Sequence, residues 1–276
     1  MRVALVQLNS TRDIDDNLDR CRRYARQAID GGADWILYPE NAPFLGRDDE
    51  KIPIAETIDG SIVGEFRAIA NDHDVWVTLG SFPEKSPDPE RTFNTQVHIG
   101  PDGLVADAYR KIHLFDVSID DDNQYRESES VHPGTEIVST RVNASGDDHR
   151  VGLSICYDLR FPELYRVLHS RKVEAITVPS AFTFETGSAH WHALLQARAI
   201  ENQAYILAPN QCGRHFGTRR SFGQSALYDP WGRLVASAGD REGVIVADID
   251  FDYVTEIRRS VPVLEHRRIE RVDASD

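Results

Sequence analysis

Three residues in this sequence join reactive chemistry to a telling position: Cys156, Glu40 and Lys111. Cys156 closes the stretch Val151-Gly-Leu-Ser-Ile-Cys156-Tyr-Asp-Leu-Arg-Phe-Pro162. Val151, Leu153 and Ile155 alternate as in a strand, and Pro162 suits the first turn of a helix, where a missing N–H costs nothing. The cysteine therefore reads as a nucleophile elbow at a strand's C-terminal end. There, a nearby helix N-terminus and backbone N–H groups are expected to favour a thiolate over a thiol and to stabilise negative charge on a substrate oxygen. A lone cysteine is more often the last apolar residue of a buried strand. Two further positions outweigh that reading. Glu40 follows Asp34-Trp-Ile-Leu-Tyr-Pro39, an apolar strand that runs into a proline and then delivers a carboxylate. Lys111 closes Leu104-Val-Ala-Asp-Ala-Tyr-Arg-Lys111, and it is one of only four lysines, with Lys51, Lys85 and Lys172, among 31 basic residues. In α/β sheets, ligands bind beyond the carboxyl ends of strands, so a thiol, a carboxylate and an ammonium on three strand ends are expected to converge. Together they supply a nucleophile, a base and an oxyanion stabiliser for acyl transfer.

No histidine is needed as the base. His190 and His192 lie on a helical stretch two residues apart, which points them to different faces, so they read as helix-start or core-edge residues rather than metal ligands. Neither G-x-x-x-x-G-K-[ST] nor H-E-x-x-H occurs, and the expectation is no metal and no cofactor. A local charge reversal stands out between Cys212 and Ser221, where Arg214, His215, Arg219 and Arg220 have no acid among them. Surface charge clusters are usually only solvated. Here the preceding strand should end on the same side as Cys156, which makes the three arginines candidate clamps for a substrate carboxylate.

The 28 Asp and 17 Glu exceed the 27 Arg and 4 Lys, giving a net charge of −14. Such a surface repels phosphate, which argues against nucleic-acid binding, and no apolar stretch approaches a membrane span. The first seven residues are too short an apolar run for a secretory signal, and three cysteines with no C-x-x-C spacing argue against a disulfide framework or a zinc cage. A cytoplasmic protein is expected. An Asp-rich, Lys-poor surface is also what a protein carries to stay hydrated in high salt, where screening removes its self-repulsion.

Periodicity sets out the elements that must position these groups. Strands are expected near 2–8, 34–39, 75–81, 174–179, 204–209 and 244–249, with helices near 16–30, 62–72, 162–171, 190–202 and 251–259. Hairpins are expected at 93–111, turning at Pro101-Asp-Gly103, and at 222–238, turning at Asp229-Pro-Trp-Gly232. Residues 115–135 read as a long loop, and loops of that length inside compact domains tend to be functional. Three strands end at a proline (Pro39, Pro179 and Pro209), and with the two hairpins this suggests two similar β-α-β halves. The expected architecture is α/β, a single domain over residues 1–276 with two mixed sheets face to face, helices outside and a polar tail at 260–276.

The segments Trp35-Ile-Leu-Tyr-Pro-Glu40, Tyr109-Arg-Lys111-Ile-His-Leu-Phe115-Asp, Cys156-Tyr-Asp-Leu-Arg-Phe-Pro-Glu163, Pro179-Ser-Ala-Phe182 and Ala197-Arg-Ala-Ile-Glu-Asn202 resemble those of the nitrilase (carbon–nitrogen hydrolase) superfamily over nearly the whole chain. That resemblance implies a four-layer α-β-β-α sandwich and a Glu–Lys–Cys triad at Glu40, Lys111 and Cys156. It implies a second, structural glutamate at Glu127, with Glu129 as the alternative. Cys212-Gly-Arg-His215, Ser221-Phe-Gly-Gln-Ser225, Asp229-Pro-Trp-Gly232 and the stretch from Arg258 to Arg268 are most similar to the deaminated-glutathione amidase branch, although Gln224 stands where histidine is expected. The implied reaction is hydrolysis of a small linear carboxylate-bearing amide to acid and ammonia through a thioester, with Lys111 and the Tyr157 N–H holding the oxyanion. Nitrile, N-carbamoyl or ω-amide hydrolysis by the same triad is the alternative enzyme, and a catalytically silent, dimeric interaction protein is the alternative outside enzymes. The resemblance also implies a homodimer or larger homo-oligomer, with an interface near Val261-Pro-Val-Leu-Glu-His-Arg-Arg268.

Overall fold

In β1 (Arg2–Gln7), Val3 and Leu5 turn to one face and Ala4 and Val6 to the other, and all four are buried. A strand with two apolar faces needs cover on both, which only a layered α/β arrangement provides. The computed structural model describes residues 1–118 and 124–269 and has that arrangement. One six-stranded sheet contains β1, β2 (Trp35–Leu37), β3 (Trp76–Lys85), β4 (Thr92–Ile99), β5 (Val105–Arg110) and β16 (Gly243–Asp248), in the order β16-β1-β2-β3-β4-β5. The other contains β8 (Ser139–Ala144), β9 (Asp147–Leu153), β10 (Ala175–Thr177), β11 (Tyr205–Ala208), β14 (Ala226–Tyr228) and β15 (Leu234–Ser237), in the order β15-β14-β11-β10-β9-β8. Each sheet has three parallel strands at its centre and antiparallel strands outside them, so the two share one strand arrangement, although β8 reaches β9 by a hairpin while β16 reaches β1 from the far end of the chain.

Val3, Leu5, Trp35 and Leu37 meet Val151, Leu153 and Val142 of the facing sheet in one apolar core. On the outer face of the first sheet, Ala4, Val6 and Ile36 pack under α1 (Ile14–Asp30) and α2 (Ser61–His73) through Cys21, Ala25, Val63 and Phe66. The second sheet is covered by α3 (Pro162–Ser170) and α4 (Phe184–Asn202) through Leu164, Leu168, Trp191 and Leu195. The result is the α-β-β-α sandwich. Side-chain hydrogen bonds also cross between the sheets. Gln96 Nε2 donates to Thr177 Oγ1 at 2.7 Å, and buried His98, stacked on Trp76 at 5.0 Å, pairs with Thr78 Oγ1 at 2.9 Å and the Arg141 carbonyl at 3.2 Å.

Several expectations change. The β8–β9 hairpin was not legible in the sequence, because β8 alternates buried Thr140 and Val142 with exposed polar residues and turns at Ser145-Gly146. The stretch expected as a loop over 115–135 holds a ribbon of β6 (Asp116–Ser118) and β7 (Gln124–Arg126), followed by a 3-10 turn over Glu127–Glu129. Its acidic centre, 119–123, lies outside the described residues. Helix α4 starts at Phe184 rather than near 190, and Gly187 lets its first turns pack close on Phe222. The basic loop is itself a ribbon of β12 (Cys212–Arg214) and β13 (Arg220–Phe222). After β16, the chain ends in α5 (Phe251–Ser260) and α6 (Val263–His266), and α6 buries no residue. Residues 270–276 of the expected tail lie outside the described residues. Among the described residues no helix is long and apolar enough to cross a membrane.

Candidate active site

β2 ends at Leu37, and Tyr38 and Pro39 carry the chain on to Glu40. Strand β3 runs so close beneath this turn that a Cβ at Gly80 would lie 2.1 Å from the Tyr38 carbonyl and 2.3 Å from that of Pro39. Only glycine allows the approach. Asn41 follows in the left-handed region, φ 58°, with its N–H bonded to Ser81 Oγ at 2.8 Å, and Gln211 Nε2 donates to the Glu40 carbonyl at 3.0 Å. Lys111 stands one residue past β5. Its N–H donates to the Asn94 carbonyl at 2.9 Å and its carbonyl accepts from the Gly134 N–H at 2.8 Å. A Cβ at Gly134 would lie 2.2 Å from the Arg110 carbonyl, so this crossing also requires glycine.

Cys156 opens a 3-10 turn, Cys156–Arg160, with φ 47° and its N–H bonded to the Pro179 carbonyl at 3.0 Å. The elbow geometry expected from the sequence is present, and Asp158 fixes it. This buried carboxylate accepts from the Ile155 N–H at 2.9 Å, the Tyr109 hydroxyl at 2.7 Å, the His113 N–H at 3.1 Å and His113 Nδ1 at 2.7 Å. Tyr109 and His113 flank Lys111, so Asp158 ties the lysine's segment to the cysteine's turn.

The side chains meet in a buried cluster. Lys111 Nζ donates to Glu40 Oε1 at 2.9 Å and to Glu127 Oε1 and Oε2 at 3.0 and 2.9 Å. Asn94 Nδ2 bridges the same two carboxylates at 2.9 and 3.3 Å, while the Ala181 N–H donates to Glu40 Oε2 at 2.8 Å and the Phe115 N–H to Glu127 Oε2 at 2.6 Å. Cys156 lines the same cleft as Glu40, near enough for the Glu40 charge to act on its thiol. Of the two candidates for a second glutamate, Glu127 is the one beside Lys111, and Glu129 is exposed.

Burial and charge set the protonation states. Burial opposes the Glu40 carboxylate, but the Lys111 ammonium and its hydrogen bond outweigh that cost and hold the acid below its ordinary range. Burial likewise opposes the Lys111 ammonium, and Glu127 and Glu40 reverse it and push the lysine well above its usual value. For Cys156 the expectation of a favoured thiolate is overturned. Burial, and then the Glu40 charge beside it, push the thiol strongly up. Helix α3 starts only at Pro162, with a 3-10 turn between it and the sulfur, so its dipole does not dominate. The resting site pairs a thiol with a carboxylate ready to receive its proton.

The cluster forms the floor of a cleft that opens to the surface. Phe115, Tyr125, Tyr157 and Phe182 give it aromatic walls. Of the three candidate clamps, Arg219 lines the cleft, lying over the Tyr125 ring at 5.7 Å. Arg214 and Arg220 are exposed and outside the lining, because the ribbon turns them outward, and Arg220 instead covers the Phe184 ring at 3.7 Å. Gln224 also lies outside the lining and donates to Asp240 Oδ1 at 2.7 Å. His192 pairs with the Tyr228 hydroxyl at 2.9 Å, and His190 is exposed on the same helix. Sequence reasoning missed Asn94, Asp158 and Lys51. Lys51 lines the cleft and is 4% exposed, and its rarity was the one available signal.

A family model described as carbon-nitrogen hydrolase matches residues 2–259. A deaminated glutathione amidase from Bos taurus is 40% identical over 270 residues, covering 96% of this chain and 81% of that one. The crystal structure of the C. elegans NitFhit protein, 38% identical, superposes with a TM-score of 0.89 over 97% of this chain, which spans 65% of that longer chain. Saccharomyces cerevisiae Nit3, a member of branch 10 of the nitrilase superfamily, is 30% identical, with a TM-score of 0.86 over 98% of this chain and 97% of its own.

Proposed function

The chain belongs to the carbon–nitrogen hydrolase family, and from that premise we propose that it is an amidase that cleaves a small linear amide bearing a carboxylate, through a thioester on Cys156. The observation that carries this reading is buried Cys156 sharing one cleft with a Glu40 carboxylate to which buried Lys111 donates at 2.9 Å. Glu40 takes the thiol proton as sulfur attacks the carbonyl carbon. The transfer leaves the net charge of the buried cluster unchanged, so it needs no new charge brought out of water. Lys111 Nζ and the Tyr157 N–H hold the oxygen as it becomes negative. Collapse expels the nitrogen, which leaves with the proton from Glu40. Glu40 then takes a proton from water, the hydroxide adds to the thioester, and sulfur departs to recover its proton. Glu127 and Asn94 orient Lys111 and Glu40 throughout.

Deaminated glutathione is the first candidate substrate, because the Bos taurus relative, 40% identical, is named a deaminated glutathione amidase, and short ω-amides are the second. The two differ in leaving group. The amides of a glutathione derivative are secondary, so an amine departs rather than the ammonia expected from a primary amide. Arg219 is the candidate partner of the carboxylate in this reading, supported by its being the one basic-ribbon arginine in the cleft lining. The deciding assay reads ammonia and primary amine release from a panel of deaminated glutathione, ω-amides, nitriles and N-carbamoyl amino acids. Turnover of the amides alone supports the proposal, and turnover confined to nitriles or ureido acids contradicts it.

The protein works as a homo-oligomer in this reading. Support comes from Ile200 on α4, Trp231 in the turn between β14 and β15, and Val261 just after α5, which expose 51%, 48% and 42% of their surface. Three buried, unpaired cysteines support a cytoplasmic setting.

A further inference from the structure

Asn41 follows Glu40 in the chain, lines the same cleft and is 4% exposed. Its backbone groups are both engaged, the N–H donating to Ser81 Oγ at 2.8 Å and the carbonyl accepting from the Phe44 N–H at 3.2 Å. Its side-chain carboxamide makes no hydrogen bond with any described residue. A buried amide left unpaired is costly. The backbone alone does not call for one, because glycine meets φ 58° at least as well and has no amide to leave unpaired.

The amidase steps above need an acceptor that the charged floor cannot spare. As sulfur adds and the nitrogen takes a proton from Glu40, that nitrogen keeps an N–H of its own, beside a carboxylate only 3% exposed. A carboxylate oxygen has two lone-pair sites. On Glu127, Oε1 already accepts from Lys111 at 3.0 Å and Asn94 at 3.3 Å, and Oε2 from Lys111 at 2.9 Å and the Phe115 N–H at 2.6 Å. On Glu40, Oε1 accepts from Lys111 and Asn94, each at 2.9 Å, and Oε2 accepts from the Ala181 N–H at 2.8 Å. The single site left on Glu40 is the one that carries the proton in transit. Lys111 only donates. The Asn41 side-chain oxygen is an acceptor in the same cleft with no partner among the described residues.

We propose that the Asn41 carboxamide accepts a hydrogen bond from the N–H of the scissile amide, which turns the nitrogen lone pair toward Glu40 and makes the site select amides over esters of the same acid. This rests on the amidase reading. The C–N bond breaks as the Glu40 proton reaches nitrogen, and the amine departs with its own hydrogens and that one. An ester of the same acid forms the same acyl-enzyme and draws on the same Glu40 proton, yet it brings no N–H. A site built to hydrogen-bond a substrate N–H discriminates against an analogue that lacks it, since its own polar group is then left unpaired.

The test compares kcat/KM for glutaramate and for monomethyl glutarate, which share one acyl group, in the full-length wild type, Asn41→Gly, Asn41→Ala and Asn41→Asp. In parallel, titration calorimetry measures the binding of both compounds to Cys156→Ala with and without Asn41→Gly. The expected result is an amide-to-ester ratio that falls about tenfold or more in Asn41→Gly and Asn41→Ala, and is largely kept in Asn41→Asp, which retains an oxygen acceptor. Glutaramate should bind Cys156→Ala about fivefold more weakly once Asn41 is glycine, with ester binding unchanged. A ratio unchanged in both Asn41→Gly and Asn41→Ala, or unchanged glutaramate affinity, overturns the proposal. So does an equal loss on amide and ester, or an equal fall of the ratio in all three variants, because Asn41 would then shape the turn and not meet the substrate. If wild type turns over no amide, the amidase reading fails, and the calorimetry still decides whether Asn41 meets an amide N–H.

Discussion

At rest one proton sits on Cys156 beside an ionised Glu40, and the residue-scale predictions turn on its transfer between them. Cys156→Ala should abolish amide turnover, whereas Cys21→Ala and Cys212→Ala should keep it, since both of those thiols are buried outside the cleft lining. Steady-state kinetics on the three variants checks this, and activity lost with Cys212 but kept without Cys156 would relocate the nucleophile. Lys111→Arg should fail nearly as badly as Lys111→Ala, because a planar guanidinium cannot place one compact donor between two carboxylates and an oxyanion. Loss of such a donor raises the barrier by ~3–4 kcal/mol, on the order of a hundredfold to a thousandfold in kcat. Glu127→Gln removes one of the two negative charges that keep Lys111 protonated. The alkaline limb of its kcat/KM profile should therefore move to lower pH, and a profile superimposable on wild type would show that Glu127 does not govern the lysine.

At the scale of elements, the site stands where strands end and two sheets face each other. Asp158 is the clearest test, because its carboxylate joins the turn of Cys156 to the segment of Lys111. Asp158→Asn puts an amide donor where only acceptors serve. Unfolding in urea should show about 3 kcal/mol less stability, and kcat should fall with it, whereas a variant equal to wild type in both would remove Asp158 from the positioning of the site. Glu40, Lys111 and Cys156 were legible in the sequence for one reason. Each follows an apolar strand that should have ended in something inert, and a reactive group at a strand end is visible without coordinates. Asn94 was not legible, since it lies inside β4 with no unusual flank and gains its role only where Glu40 and Glu127 converge. Lys51 was hidden in Arg47-Asp-Asp-Glu-Lys51, a run that reads as a solvated face. The protonation of Cys156 was misjudged because burial and a neighbouring carboxylate are three-dimensional facts. Arg214 and Arg220 were overvalued because sequence proximity cannot tell which residues of a ribbon face the cleft.

For the whole molecule, acid should act first through histidine. Burial holds His98, which links the two sheets, down to about 4 from an ordinary 6.5. His169 and His215 are held down to about 4 in the same way. The folded state refuses a proton that the unfolded chain accepts, so stability is complete above about pH 6.5 and is lost as pH falls toward 4. His98 alone should cost about 2 kcal/mol between pH 7 and pH 5. Denaturant midpoints across that range, with the His98 ring followed by NMR, check it, and a flat profile would contradict it. The acidic surface gives a second expectation at this scale, a thermal midpoint that rises between low and molar potassium chloride as screening relieves self-repulsion. The central claim is the thioester on Cys156, and the partition of one acyl group between water and hydroxylamine tests it most directly. Two amides that share their acyl group and differ in their leaving amine should give the same ratio of hydroxamate to acid, because both pass through the same acyl-enzyme, and Cys156→Ala should give neither product. Ratios that depend on the leaving amine, or hydroxamate formed by Cys156→Ala, would contradict it.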